Sequence, residues 1–195
     1  MSPFPADPFR SAPKSRPIWR PQLFPATIIV EHAADGFDTT SLLDPLAPSI
    51  EGEMADDGFH AVVRDEQGDH RLWLPQGTET MNAAVVIPVD IHFSERVQSI
   101  QRFQRWLTGK PSGPLPRWQR FSRYQIYRFS LMLRAWDGMT GGASRQEIAS
   151  ILLNRDVKAL RSIDWKNAPE RRRVIRLLKS SRELIEGGYL RLLQP

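Results

Sequence analysis

The spacing of the apolar residues changes at Ser94. Before it, apolar residues come in short runs rich in β-branched side chains and bounded by turn formers; beyond it they recur at three- and four-residue intervals. The first pattern belongs to half-buried strands and the second to amphipathic helices. The chain is therefore expected to be α+β: a small N-terminal antiparallel sheet followed by a helical C-terminal region. Its 195 residues suffice for one sizeable core, or a core with a smaller satellite.

Three regions follow. Residues 1–25 hold Pro3, Pro5, Pro8, Pro13, Pro17, Pro21 and Pro25, which forbid a helix or an inner strand. Aromatic residues are interspersed, so this proline-rich arm is read either as an extended segment that packs on its own domain or a partner, or as a linker. Residues 26–93 form an acidic, strand-rich region with runs at 26–31, 59–64, 70–74 and 83–89. The stretch 65–69 (DEQGD) suits a hairpin turn. Between the first two runs Asp35, Asp38, Asp44, Glu51, Glu53, Asp56 and Asp57 are read as a solvated acidic loop, since they lack the tight alternation of a calcium loop. Residues 94–195 form the helical region, with Ser94 expected to cap its first helix.

Charge divides the chain at the same place. Residues 1–93 carry 6 Lys+Arg against 14 Asp+Glu, a net −8, whereas residues 94–195 carry 21 against 8, a net +13. A half so basic suits a polyanion. The alternative is a pair of oppositely charged surfaces that attract each other.

Within the basic half, a helix over 120–137 is apolar around most of its circumference and is expected to sit centrally. Ser144-Arg145-Gln146-Glu147 reads as a capping box. It opens a short helix with Ile148, Ala149 and Leu152 inward and Ile151 left open, the form of the first helix of a helix-turn-helix. After a connector over 154–166, Asn167 is expected to cap a long helix with the apolar stripe Val174, Leu177, Leu178, Leu184 and Ile185. Off that stripe stand Arg171, Arg172, Arg173, Arg176, Lys179 and Arg182, with Arg172, Arg176, Lys179 and Arg182 on one solvent face. Such a helix can enter a major groove or straddle a phosphate backbone, because arginine makes paired hydrogen bonds to guanine edges and phosphates. With Arg145 and Lys166, these six are the candidate DNA contacts. A solubilised surface helix is the alternative, but only Glu170, Glu183 and Glu186 lie between residues 167 and 188.

The segments SRQEIASILL and DWKNAPERRRVIRLLKSSRELIEGGYLRLL resemble the RovC-like DNA-binding domain family, over residues 90–195, most specifically at RRRVIRLLKSSRELIEGGYLRLL. Members include activators of type VI secretion genes and activators and antiactivators of mobile integrative and conjugative elements. The resemblance implies a helix-turn-helix-like unit related to that of ParB-like proteins, and some members form homo-oligomers. It places Arg171, Arg172, Arg173 and Arg176 on the long helix of the motif but carries over no base contacts. Some relatives have a further N-terminal module, of which no clear copy is read here.

Catalysis is not expected. His32, His60, His70 and His92 lie singly, without metal-ligand spacing, and there is no cysteine. No phosphate-binding glycine loop or nucleophile elbow is present. No cofactor or metal is expected. With no apolar run long enough to span a membrane and no signal-like start, the protein is expected to be soluble and cytoplasmic. The reading is a DNA-binding transcription regulator, in the activator sense. Its expected partners are double-stranded DNA, RNA polymerase or another regulator, and further copies of itself. The open alternative is a protein-binding antiactivator of the same fold, favoured by an exposed Trp118 and the aromatic arm.

Overall fold

The computed structural model describes residues 19–39, 50–75 and 82–195. The arm as far as residue 18 and Asp44 of the acidic stretch lie outside the described residues. The chain forms two compact units that part between Gln119 and Arg120.

The first unit is a five-stranded sheet in the order β2-β3-β4-β1-β5. The strands are β1 (Thr27–His32), β2 (Ile50–Ala55), β3 (Gly58–Val63), β4 (His70–Pro75) and β5 (Ala83–Val86). All neighbours are antiparallel except β1 and β4, which run parallel with Ile28 opposite Leu72. The mostly antiparallel sheet agrees with expectation. Its β2 does not, because it occupies the stretch read as an acidic loop. Glycine and two glutamates give that segment little strand propensity. They suit an edge strand, where charge blocks pairing with another chain. Gly58 ends the β2–β3 turn at φ +129°, where a Cβ would collide with the Leu74 carbonyl oxygen.

Alternation along the strands sends Ile28, Val30, Ala61, Val63, Leu72 and Leu74 to one face. Helix α1 (Phe93–Leu107) covers that face with Phe103, which is 1% exposed, supported by Ile100, Trp106 and Leu107. This helix, read at the head of the basic region, belongs to the sheet's core. Ser94 is not its cap. The helix starts at Phe93, and Asp90 serves the start by accepting from the His92 N–H at 3.0 Å and from Arg96.

Two arginines of α1 are buried as internal ties. Arg96 grips Asp90 at 2.7 Å and donates to the Pro21 carbonyl. Arg102 donates to the carbonyls of Gln67, Gly68 and Gly113 at 3.0–3.2 Å. It thereby ties the β3–β4 turn and the 110–118 connector to the helix. Beside it His70 contacts Asp65 at 3.1 Å and Ser112 at 3.4 Å. Burial pushes the Asp65 carboxyl up, but hydrogen bonds from Ser112, the Gln67 backbone and His70 outweigh it and hold it below the usual carboxylate value. The described end of the arm packs on this unit, with Pro21 and Pro25 fully buried and Phe24 beneath the Arg71 guanidinium. Trp118, expected to be exposed, is half-buried with its ring edge-on to Phe24 at 5.7 Å.

The second unit is helical: α2 (Arg123–Thr140), α3 (Arg145–Leu152), a 3-10 turn (Arg155–Ala159), α4 (Ser162–Asn167) and α5 (Pro169–Ile185), closed by a 3-10 turn (Gly188–Leu192). Its core joins Leu131, Met132 and Ala135 of α2, Ile148 and Ala149 of α3, Val157, and Val174, Leu177 and Leu178 of α5. The buried Ser181 hydroxyl donates to the Met132 carbonyl at 2.9 Å, pinning α5 to α2.

Several boundaries differ from the sequence reading. Helix α2 starts behind the Ser122 cap, and it runs through Gly138, where a Cβ would stand 3.3 Å from Ile148. Nor is α2 central, since Tyr124, Ile126, Tyr127 and Leu133 are 55–70% exposed. Asn167 ends α4 instead of capping α5, whose cap position is Ala168 with Pro169 first in the helix. Among the described residues no helix is long and apolar enough to cross a membrane.

Candidate nucleic-acid interface

The basic helix is oriented by what it buries. Val174, Leu177, Leu178 and Ser181 form the inward stripe of α5. A period of 3.6 then turns Arg172, Arg176 and Lys179 to the opposite face, and all three are exposed. Residues 120–195 hold 16 Lys+Arg against 7 Asp+Glu, a net +9, so this unit keeps most of the basic half's excess without Arg96 and Arg102.

The candidate cations fall into distinct groups. Along α5, Arg172, Arg173 and Arg176 are exposed and have no ion pair or hydrogen bond to another described residue. Arg171 is half-buried and donates to the Lys166 carbonyl at 3.3 Å, tying the start of α5 to the end of α4. Lys166 is itself exposed. Lys179 lies 3.9 Å from Glu183, and Arg182 donates to Glu186 at 2.8 Å, both as i,i+4 pairs. The Glu186 hydrogen bond raises the Arg182 guanidinium further above its ordinary value. Acids therefore support the second half of α5, whereas its first half presents unneutralised guanidiniums.

Arg145 stands apart from this set, exposed at the first position of α3. The capping box forms as read: Ser144 Oγ accepts from the Glu147 N–H at 3.2 Å, and Glu147 accepts from the Ser144 N–H at 2.7 Å. The backbone and hydroxyl of Ser144 hold the Glu147 carboxyl below its usual value. Ile151, left open by the sequence, is 70% exposed. Where a second helix of ordinary length would follow, α3 is succeeded by the 3-10 turn and the six-residue α4. Gln146 fixes this succession, its side chain donating to the carbonyls of Val157 and Leu160 at 2.9 and 3.1 Å.

Beside the outer face of α5 lies a cleft of about 470 Å³ that the sequence reading missed. Arg173, Arg176 and Lys179 of α5 form one side, Tyr124, Tyr127 and Arg128 of α2 the other, with Leu131 and Leu177 among its lining. A central helix, apolar all round, would cover Tyr124 and Tyr127, whereas both are exposed. The signal that could have found them is the interleaving of aromatic and basic residues in RFSRYQIYR, over 120–128. The histidines play no part in this unit. His60 and His70 are buried in the sheet unit, bonded to Asp57 and Asp65. Among the described residues no three His, Asp or Glu side chains gather as a metal site would require.

Residues 86–194 match the family model of a T6SS (type VI secretion) transcription factor, DNA-binding domain. The chain belongs to this family. The RovC-like domain thus begins at the last residue of β5, takes in α1 and contains the whole helical unit. Membership supports a DNA-binding transcription factor with DNA as its partner. Residues 26–85 match a separate model, a domain of unknown function (DUF7012), which spans nearly the whole sheet. No curated protein and no solved structure matches the chain.

Proposed function

We propose that this protein is a transcription activator that grips double-stranded DNA with the first half of α5. The observation that carries this reading is the row of exposed, unneutralised arginines, Arg172, Arg173 and Arg176, on a helix whose other side is locked in a core. Counterion release on phosphate contact supplies the affinity, and arginines that reach base edges supply selectivity. Lys166 at the end of α4, Arg171 at the start of α5 and Arg145 at the start of α3 supply further phosphate contacts outside this row, while Lys179 and Arg182 exchange an acid partner for phosphate on binding. The unit formed by α3, the 3-10 turn and α4 acts in the manner of a helix-turn-helix to set register. The protein itself catalyses nothing, works in the cytoplasm where the DNA is, and acts on type VI secretion or mobile-element genes by recruiting RNA polymerase.

Self-association finds support in a second, apolar groove of about 280 Å³ on the helical unit, lined by Leu133, Trp136, Leu184 and Ile185. The same groove is what remains to favour a protein-binding antiactivator, because Trp118 is packed against Phe24. The two readings part on one experiment: binding of the full chain to the DNA upstream of its own gene and to a scrambled duplex, across a salt series. Selective binding that weakens steeply with salt, with raised transcription from that promoter, is the expected result. Equal and weak binding to both duplexes contradicts the regulator reading and favours the antiactivator.

A further inference from the structure

The cleft between α2 and α5 continues the packing seam of the two helices but changes its chemistry. On α2 the residues Tyr124, Arg128, Leu131 and Ala135 recur at intervals of four, three and four, so they share one side. Leu131 and Ala135 are buried, whereas Tyr124 is 70% exposed and Arg128 is exposed with it. Opposite them α5 places Leu177 in the core and Arg173 and Arg176 in the cleft. A seam that begins with leucines thus opens into arginines and tyrosines.

The charges there are not balanced by the protein. The only acid in the lining is Glu183, already 3.9 Å from Lys179. Arg128, Arg173 and Arg176 have no ion pair or hydrogen bond to another described residue. Guanidiniums from two helices that share one opening repel each other until an anion enters, and tyrosine hydroxyls are neutral donors suited to phosphate oxygens. Arg176 belongs both to this cleft and to the outer face of α5, so an anion in the cleft adjoins whatever that face holds.

We propose that the cleft takes a phosphodiester strand of the same DNA, with α2 as its second wall. This rests on α5 being the DNA-binding face. Arg128, Arg173 and Arg176 clamp the phosphates, the Tyr124 and Tyr127 hydroxyls complete their hydrogen bonding, and the strand is thereby fixed relative to α5.

The test uses the full chain and a labelled mixed-sequence duplex at several salt concentrations. Arg172→Gln reports the α5 face, Arg128→Gln and Tyr124→Phe report the cleft, and Arg134→Gln, exposed on α2 outside the lining, is the control. Arg128→Gln is expected to weaken binding several-fold and to reduce the salt slope by about one, the signature of one lost phosphate contact. Tyr124→Phe should weaken binding less and leave the slope unchanged, and Arg134→Gln should change neither. Wild-type behaviour of Arg128→Gln beside a weakened Arg172→Gln overturns the cleft and leaves the α5 reading standing. Wild-type behaviour of both variants overturns the α5 reading and the cleft with it. A deoxynucleoside monophosphate that binds the full chain without DNA, and loses that binding in Arg128→Gln, would make the cleft a free-nucleotide site and overturn the proposal as well.

Discussion

Arg102 is 8% exposed and the hydrogen bonds of its guanidinium go to three carbonyls of its own unit, whereas Arg172 is exposed to solvent. Sequence counts the two alike, so the charge split at residue 93 exaggerates the polyanion-binding excess. Only burial separates structural arginines from free ones. The neighbour of Arg102 has a consequence for stability. Burial, together with the Arg102 charge, opposes protonation of His70 more than Asp65 and Asp69 favour it, so its pKa lies below the ordinary value of 6.5. The unfolded chain therefore binds the proton more readily. The stability held by neutral His70 is complete above pH 6.5 and is lost as pH falls from there towards the lowered folded pKa. Urea unfolding of the sheet unit should shift to lower denaturant between about pH 7 and pH 5, and His70→Gln should flatten that dependence. A slope as steep in His70→Gln as in wild type would assign the effect to other groups.

Elements were legible where local chemistry alone decides them. The capping box at Ser144–Glu147 forms because its two hydrogen bonds lie within four residues. The short run of β1 and the DEQGD turn needed no more than propensity. Strand β2 was hidden because its acids and glycine read as loop, and only pairing with β3 makes it a strand. The exposure of Tyr124 and Tyr127 was hidden for the converse reason: composition reports how apolar a helix is, not how far its neighbours extend along it. Helix α3 is short enough that its cap matters. Ser144→Ala should cost about 1 kcal/mol of helical-unit stability, read as a lower midpoint in chemical unfolding. A midpoint equal to wild type would mean that core contacts through Ile148 and Ala149 fix α3 without its cap.

The whole chain is two compact units, and the family domain crosses the boundary between them, from residue 86 to residue 194. Sequence placed the change from strand to helix correctly but could not show that α1 serves the sheet, since the tie depends on Phe103 meeting strands far away in the chain. A fragment of residues 120–195 should therefore fold as a helical unit by circular dichroism and bind duplex DNA. One of residues 94–195 carries α1 without its sheet, exposes Phe103 and should be the more prone to aggregate. An unfolded 120–195 fragment would show that the sheet unit is needed for the helical core. The central claim is that exposed arginines of α5 hold the DNA. Its most direct test is the salt dependence of duplex binding by the full chain and by the Arg172→Gln, Arg176→Gln double variant. Loss of two phosphate contacts predicts weaker binding and a log–log salt slope shallower by about two. A double variant with the affinity and slope of wild type would contradict it.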